Sequence, residues 1–219
     1  EKAGTRGAIV RRSLAYTGLG GERTVRTFAI VALSYLIGSV PFSYLAARAF
    51  KKIDLRKVGS KNVGTTNVVK TAGLIPGLLA GVGDCGKGIL AVLIAKATAP
   101  ELPWAAFIAG LFAVVGHNWP VWLGFHGGGG LATCIGTLLV LSAASVFYLL
   151  ALWGASYVLT RHKYASSMFG CASLPVFLGI YEQSWAYFGF GLGMGVLLGV
   201  KQVVAWLRYG TKPDSMAAC

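Results

Sequence analysis

The chain has 219 residues, of which 55% are hydrophobic and only 12% are charged, and its mean hydropathy is +0.66. Soluble domains carry about 25% charged residues, so this composition excludes an ordinary soluble domain and indicates an integral membrane protein. The formal net charge of +13 comes from basic residues in short segments between apolar runs. Membranes favour this pattern, which argues against nucleic acid as a partner.

The chain begins with a basic tail, residues 1–26, that is rich in Arg, Ser, Thr and Gly and lacks an initiator Met. This composition is typical of an organelle-targeting segment or a processed mature terminus, which would also suit a partner-binding arm. A simple boundary of the sequence explains it equally well. We expect one membrane domain over 27–207 and a short C-terminal tail, 208–219.

Apolar runs predict the membrane crossings, because a helix needs about 20 apolar residues to span a ~30 Å hydrocarbon core. The uncharged stretch 127–160 would make a helix of about 51 Å at 1.5 Å per residue, which is too long for one crossing. We therefore expect two short helices there, with a turn near 142–145, and seven spanning helices in all. The other predicted spans are 27–47, 71–95, 102–116, 168–181 and 185–200.

The distribution of charge supports seven crossings. With that count the basic segments 48–70 and 161–163 share one side with the C-terminal tail, while the opposite loops carry Glu101 and Glu182. The positive-inside rule then makes the basic side cytoplasmic or organelle-interior. The basic N-terminal tail disagrees, because it would lie on the other side.

The segment 58–70, VGSKNVGTTNVVK, is rich in glycine and in hydroxyl and amide side chains. Glycines allow backbone N–H groups to converge on an anion, and a following helix would add its N-terminal dipole, so the segment predicts a phosphate cradle. The spacing matches neither GxxxxGKS nor GxGxxG, and an ordinary polar loop is the alternative.

The segment 83–88, GDCGKG, places Asp84 and Lys87 inside a predicted span and on one helical face. Ionisable residues in a span are costly and usually mark a functional site or a mutual pair. Two interpretations stay open: Lys87 faces an anion while Asp84 orients it, or the two residues form an internal ion pair.

The segment 116–130, GHNWPVWLGFHGGGG, ends in four consecutive glycines. Trp119 and Trp122 suit an interfacial belt, and His117 at a helix end is either a structural group or part of a site. Non-helical backbone is tolerated at membrane depth only where it lines a cavity or is buried in protein. The glycine run therefore predicts a re-entrant loop at a site.

Five motifs follow one another along the chain: YLIGSVPFSYL (35–45), DLRKVGSKNVGTTNVVKTAG (54–73), DCGKG (84–88), GHNWPVWLGFHGGGGLAT (116–133) and KYASS (163–167). In these motifs the chain resembles the bacterial acyl-phosphate:glycerol-3-phosphate acyltransferase family, the PlsY family. The resemblance implies an all-α integral membrane fold of seven helices, with the N-terminus outside and glycine-rich re-entrant loops on the cytoplasmic face. It also implies transfer of a fatty acyl group from acyl phosphate to glycerol 3-phosphate to give lysophosphatidate.

The resemblance places catalytic positions at Ser39, Lys87 and His117. Both substrates carry phosphate and acyl phosphate is already activated, so the enzyme mainly has to hold two anions together and stabilise charge on the carbonyl oxygen. Membrane lipids and these two substrates are the expected partners. The implied phosphate-binding positions are Gly59, Ser60, Asn62, Gly64, Thr66, Asn67, Asp84, Gly127, Gly128, Gly130 and Ser166.

The chain departs from the family where cations are expected. The family's loop usually reads GFKGGKG, whereas this chain reads GFHGGGG, with His126 and Gly129 in place of lysines. Near the C-terminus, Val200 and Val203 replace a His and an Asn. Either another cation, such as Lys61 or Lys87, compensates for the loss, or catalysis has lapsed.

Two functions therefore stay open. One is an acyltransferase of phospholipid synthesis, placed by the family in a bacterial inner membrane; the other is a non-catalytic accessory subunit of a larger mitochondrial or plastid membrane complex. A small transporter is disfavoured, because the polar residues gather at one face. We expect no metal and no cofactor, because the sequence has no HxxxH, acidic cluster or nucleotide fingerprint. Neither a disulfide framework nor a zinc site is indicated by the four cysteines, Cys85, Cys134, Cys171 and Cys219.

Overall fold

The computed structural model describes the backbone of residues 2–209 and the side chains of residues 21–207. This part of the chain is all-helical, as predicted, and contains no strand. The tails 1–26 and 208–219 were predicted to be a targeting or partner-binding segment and a short C-terminal tail. Most of their residues lie outside the part of the chain whose side chains the structure describes. The helices are α1 (Lys2–Ser39), α2 (Phe42–Lys51), α3 (Thr65–Ala72), α4 (Leu74–Thr98), α5 (Ala105–Asn118), α6 (Leu131–Leu141), α7 (Ala143–Thr160), α8 (Lys163–Tyr181) and α9 (Trp185–Tyr209), with a 3-10 turn at Val121–Leu123.

Six stretches in the described part of the chain are long and apolar enough to cross a membrane. They overlap the predicted spans, which agrees with an all-helical membrane fold. α6 is also apolar but has only 11 residues, so the predicted count of seven depends on this short helix. The six stretches are Gly21–Lys51, Leu74–Thr98, Ala105–Leu123, Ala143–Thr160, Lys163–Tyr181 and Trp185–Leu207.

The long uncharged stretch that was predicted to contain two helices is divided at Ser142, within the predicted turn. Carbonyl groups at the end of a helix lack partners in the helix itself. Here the Tyr187 hydroxyl donates to the carbonyl of Leu141 at 2.9 Å, and Lys96 Nζ donates to that of Val140 at 3.2 Å. These donors allow α6 to end within an apolar region, where backbone groups need partners from the protein.

Pro41 separates α1 from α2. Proline lacks the N–H that a helix interior requires and disfavours helical backbone in the residue before it, so the helix is interrupted at Val40. The carbonyl of Val40 accepts a hydrogen bond from Lys87 Nζ at 2.9 Å. The interruption thus draws a lysine of α4 to the end of α1.

Glycines bring three pairs of helices into close contact, as small residues do in membrane proteins. A Cβ at Gly38 of α1 would collide with the backbone of Ala113 in α5. A Cβ at Gly88 of α4 would collide with the backbone of Thr133 in α6, and one at Gly191 of α9 with the backbone of α8. These contacts fix the bundle that carries the candidate site.

The two ends of the bundle differ in their loops. At one end Arg26 Nη1 lies 2.7 Å from Glu101 Oε1, which joins α1 to the loop between α4 and α5. At the other end the loop 52–64 meets the segment 124–130, because the carbonyl of Val63 lies against Gly128. The two glycine-rich segments therefore lie at the same end of the bundle, as the predicted order of crossings requires.

Candidate active site

A cleft of about 270 Å³ opens at the end of the bundle where the two glycine-rich segments meet. Its walls come from the loop before α3, the loop before α6, the middle of α7, the start of α8 and the end of α9. Lysines from three helices line the cleft, and the described residues that line it include no Asp or Glu. The cleft is therefore electropositive. The polar side chains that line it are Ser60, Asn62, Thr65, Thr66, Asn67, Lys70, His117, Trp153, Lys163, Tyr164, Ser167, Lys201 and Gln202.

Three helices begin at this cleft. Thr65, Leu131 and Lys163, the first residues of α3, α6 and α8, all line it. Within the described chain, none of these helices has an acidic residue in its first turn or a side chain that caps it. The first N–H groups of a helix carry partial positive charge and bind anions. The cleft therefore combines three helix N-termini with three lysines, an arrangement that suits phosphate.

Asn67 organises the loop before α3. Its Oδ1 accepts the backbone N–H of Ser60 at 3.2 Å, and its Nδ2 donates to the carbonyls of Asn62 at 2.9 Å and Val58 at 3.2 Å. Gly59 has φ +58 and lies against the Asn67 amide, where a Cβ would collide. The Asn67 amide is thus used within the protein and shapes the loop, whereas Ser60 and Asn62 are carried on the loop it shapes.

Gly128 lies where the glycine run crosses His117. Its N–H donates to the His117 carbonyl at 3.1 Å. A Cβ at Gly128 would collide with His117 Nε2 on one side and with the carbonyl of Val63 on the other. Glycine is therefore required here by the close approach of two backbones and a ring.

The other three glycines of the run differ from one another. A Cβ at Gly127 would collide with the backbone of α5, and Gly130 has φ +82, which side chains rarely adopt. At Gly129 an added Cβ would meet only the Gln202 amide, at an ordinary 3.6 Å. Gly129 is thus the one position of the four where the structure leaves room for a side chain.

His117 connects the cleft to a buried cluster of polar side chains. Its Nδ1 lies 3.4 Å from Asp84 Oδ1, whereas its Nε2 lies beside Gly128. Lys87 Nζ lies 2.9 Å from the same Asp84 oxygen, and Ser43 Oγ donates to Asp84 Oδ2 at 2.7 Å. Asp84 is 1% exposed and Lys87 is 3% exposed. The internal ion pair considered from the sequence is therefore formed, and its carboxylate also faces the histidine.

A second, smaller cavity of about 10 Å³ also borders His117. Ser39 lines it, and the Ser39 hydroxyl is buried without a hydrogen-bond partner among the described residues. Buried polar groups are usually paired, so an unpaired hydroxyl beside a cleft marks a position that a ligand could satisfy. Lys87 lines this cavity as well, but its Nζ is directed to Asp84 and the Val40 carbonyl.

The two cavities hold most of the predicted site residues. Two lie in neither: Gly59, which supports a turn, and Ser166, whose hydroxyl donates to the carbonyl of His162 at 3.0 Å. Ser167, the next residue of α8, lines the cleft instead. The predicted residues at the cleft are Ser60, Asn62, Gly64, Thr66, Asn67, His117 and Gly130, and those at the smaller cavity are Ser39, Asp84, Lys87, His117, Gly127 and Gly128.

The resemblance placed one residue of α8, Ser166, at the site, but Lys163 and Ser167 are among the residues of that helix that line the cleft, and the contribution of α9 was missed. The cleft is lined by Lys163, Lys201 and Gln202. Lys61, which was considered as a substitute for the missing lysines, is not among the described residues that line the cleft. A signal for two of the missed residues was available, because Lys201 and Gln202 are adjacent polar residues in an apolar stretch that continues to residue 207. Whether these two side chains point into the cleft depends on how α9 packs against the other helices, and the sequence alone does not give this packing.

Comparisons with known proteins agree on one family. A family model described as glycerol-3-phosphate acyltransferase matches residues 28–211. The glycerol-3-phosphate acyltransferase of Desulforamulus reducens is 38% identical over 168 residues, which cover 77% of this chain and 84% of the relative. The protein of the same name from Synechococcus sp. is 40% identical over 186 residues, covering 84% of this chain and 92% of the relative.

Two solved structures share the fold. Both are crystal structures of PlsY, described as an integral membrane glycerol 3-phosphate acyltransferase. The glycerol 3-phosphate form has a TM-score of 0.75 and 30% identity, and the match covers 85% of this chain and 94% of that chain. The lysophosphatidic acid form has a TM-score of 0.74 and 28% identity, with 85% and 93% covered.

Proposed function

The chain belongs to the glycerol-3-phosphate acyltransferase family, and from this membership we propose that it transfers a fatty acyl group from acyl phosphate to glycerol 3-phosphate. A hydroxyl oxygen of glycerol 3-phosphate bonds to the acyl carbonyl carbon, and the bond from that carbon to the phosphate oxygen breaks. The hydroxyl proton passes through His117 to the departing phosphate. Lysophosphatidate and inorganic phosphate are the products.

The observation that carries this proposal is the convergence of three helix N-termini and three lysines on one cleft. Two phosphate-bearing substrates need such an environment, because their charges must be held close together before they react. In this proposal Ser60, Asn62 and Thr66 donate hydrogen bonds to phosphate. Gly130 and the first turn of α6 provide backbone N–H groups near the acyl carbonyl.

His117 is proposed as the group that handles the proton. Asp84 faces its Nδ1 at 3.4 Å, which favours a proton on that nitrogen and leaves Nε2, beside Gly128, as an acceptor for the substrate hydroxyl. Lys87 neutralises Asp84 and holds it in position, so in this proposal it acts through Asp84 and His117. Ser39 directs its hydroxyl to the reacting groups from the smaller cavity.

The finer topology also belongs to this proposal. The short helix α6 is the seventh crossing, and the segment 124–130 is a re-entrant loop that closes the cleft. The cleft faces the cytoplasm, or the interior of an organelle, because lysines of the basic segments line it. The bacterial relatives support a bacterial inner membrane.

The alternative of a non-catalytic accessory subunit gains no support from the family match or the relatives. The lysines missing at positions 126 and 129, the atypical C-terminal segment and the basic N-terminal tail motivated it. The cleft nevertheless retains Lys70, Lys163 and Lys201. An active enzyme is therefore the function we propose.

Purified protein in detergent or lipid, supplied with acyl phosphate and glycerol 3-phosphate, tests the proposal. We expect lysophosphatidate and inorganic phosphate in equal amounts, and a loss of about a hundredfold or more in rate for His117→Ala. Gln183→Asn, in the loop between α8 and α9 and outside the cleft, is the matched control and keeps the wild-type rate. Absence of lysophosphatidate from the wild-type protein at high enzyme loading would refute the function.

A further inference from the structure

The wall of the cleft that the glycine run forms brings no cation of its own into the cleft. His126 is exposed, and its Nδ1 lies 2.6 Å from the carbonyl of Gly124, so the ring is held at its own turn. Gly129 lines the cleft without a side chain, opposite Gln202 of α9. The residue before that glutamine, Lys201, also lines the cleft and brings positive charge to this wall.

Lys201 carries its ammonium group to the end of α5. Its Nζ donates to the carbonyl of Asn118 at 2.7 Å and lies 4.8 Å from the centre of the Trp119 ring. Asn118 directly follows His117, whose Nε2 lies beside Gly128. The ammonium group is thus held close to the histidine and the glycine run, and its flexible four-carbon stem allows it to turn towards the cleft.

We propose that Lys201 binds a substrate phosphate from α9 and supplies the positive charge that the four-glycine run lacks. This inference rests on the proposed function, because a phosphate-bearing substrate is what requires a cation at this wall. The phosphate belongs either to glycerol 3-phosphate or to acyl phosphate, and the two substrates are distinguished in the test. In either case the charge comes from a helix and not from the glycine loop.

A purely structural role is the competing explanation. The Asn118 carbonyl lies at the C-terminal end of α5, where a lysine stabilises the helix by capping its last carbonyl groups. Replacing Lys201 would remove such a cap and lower stability. A lysine introduced at position 129 would not restore the cap, but it would restore positive charge to the cleft, because only Gln202 lies near an added Cβ there.

The test compares Lys201→Met with the double variant Lys201→Met/Gly129→Lys. The control is Lys96→Met, because Lys96 also donates to a backbone carbonyl of another helix, at 3.2 Å, and does not line the cleft. Glycerol 3-phosphate is titrated into each purified protein by calorimetry, and KM is measured for both substrates. Thermal unfolding in the same detergent reports stability.

We expect Lys201→Met to raise the Kd for glycerol 3-phosphate, or the KM of one substrate, about ten- to a hundredfold, as the loss of one charged hydrogen bond does. Lys96→Met should leave these constants unchanged, and the double variant should recover to within about threefold of wild type. The substrate whose constant rises identifies the phosphate that Lys201 binds.

The inference would be overturned if Lys201→Met kept the wild-type Kd for glycerol 3-phosphate and the wild-type KM for both substrates. A loss that follows lowered stability and that Gly129→Lys does not repair would assign Lys201 to the helix cap, and would overturn it as well. A wild-type protein that binds glycerol 3-phosphate without turnover refutes the proposed function alone, because titrating glycerol 3-phosphate and, in the same way, acyl phosphate into the wild type and Lys201→Met then still decides the role of Lys201. A wild-type protein that neither binds nor reacts refutes both.

Discussion

Substitution of two neighbouring glycines by alanine should have opposite consequences. In Gly128→Ala the new Cβ would fall on His117 Nε2 and on the carbonyl of Val63, and a backbone carbonyl cannot rotate away as a side chain can. In Gly129→Ala the new Cβ would meet only Gln202 Nε2, at an ordinary 3.6 Å. The same methyl group is thus added at two adjacent positions, of which only position 129 has space for it.

The magnitude follows from the cost of overpacking, about 1–3 kcal/mol when a well-packed region must shift to admit a methyl group. If the shift moves His117 away from its reacting position, that cost enters the activation barrier and slows turnover by about five- to 150-fold. Gly129→Ala should keep turnover within about twofold and stability within about 0.5 kcal/mol.

Initial rates of lysophosphatidate formation and thermal unfolding in one detergent check this pair of variants. A Gly128→Ala variant that matches the wild type in both rate and unfolding temperature would contradict the predicted collision. A Gly129→Ala variant impaired as strongly as Gly128→Ala would contradict the predicted free space at position 129.

The buried cluster and the loop before α3 each contain polar contacts whose loss should be measurable. Asp84→Asn leaves the buried ammonium group of Lys87 with the Val40 carbonyl but without a counter-charge, and should destabilise the protein by about 3–5 kcal/mol. Adding Lys87→Met should recover much of this loss, whereas equal stability of Asp84→Asn and wild type in chemical unfolding would contradict the ion pair. Asn67→Ala should lower the free energy of unfolding by about 1–3 kcal/mol and raise the KM for glycerol 3-phosphate, because the loop loses its buried hydrogen bonds. An unchanged KM would contradict a role of this loop in substrate binding. The hydrogen bond from the Arg56 side chain lowers the pKa of Asp54 to about 2 from 3.8, so this pair stabilises the loop above pH 3.8 and loses its effect as pH falls towards 2. The difference in unfolding temperature between wild type and Asp54→Asn should therefore be constant from pH 5 to 8 and shrink between pH 4 and 2; a difference that changes between pH 5 and 8 would contradict it.

Much of the fold could be predicted because lipid imposes simple constraints. The lengths of the apolar runs located the spanning helices, and the excess length of 127–160 located the interruption that the structure has at Ser142. The spacing of Asp84 and Lys87 predicted a shared helical face, where the ion pair is formed. These features depend on local sequence and on the thickness of a bilayer.

The remainder of the site depends on how distant helices pack. Lys201 and Gln202 reach the cleft because α9 crosses behind the glycine run, and no local pattern encodes that crossing. Ser166 and Ser167 show the limit within one helix, since adjacent residues differ in direction by about 100° and only Ser167 lines the cleft. The four glycines look alike in the sequence, yet at Gly129 alone is there space for a side chain.

In the proposed function, the loop before α3 and the glycine run form one binding site for phosphate. Asn62→Asp and Gly129→Asp each place a carboxylate in the cleft, one from each of the two loops, and an added Cβ at Gly129 meets no collision. Gln183→Glu places the same charge at the loop between α8 and α9. Titration of glycerol 3-phosphate into the three variants shows whether the two loops bind the same ligand. We expect both cleft variants to bind at least tenfold more weakly than wild type and Gln183→Glu to bind equally well. Wild-type affinity in either cleft variant would mean that the two loops do not share a ligand.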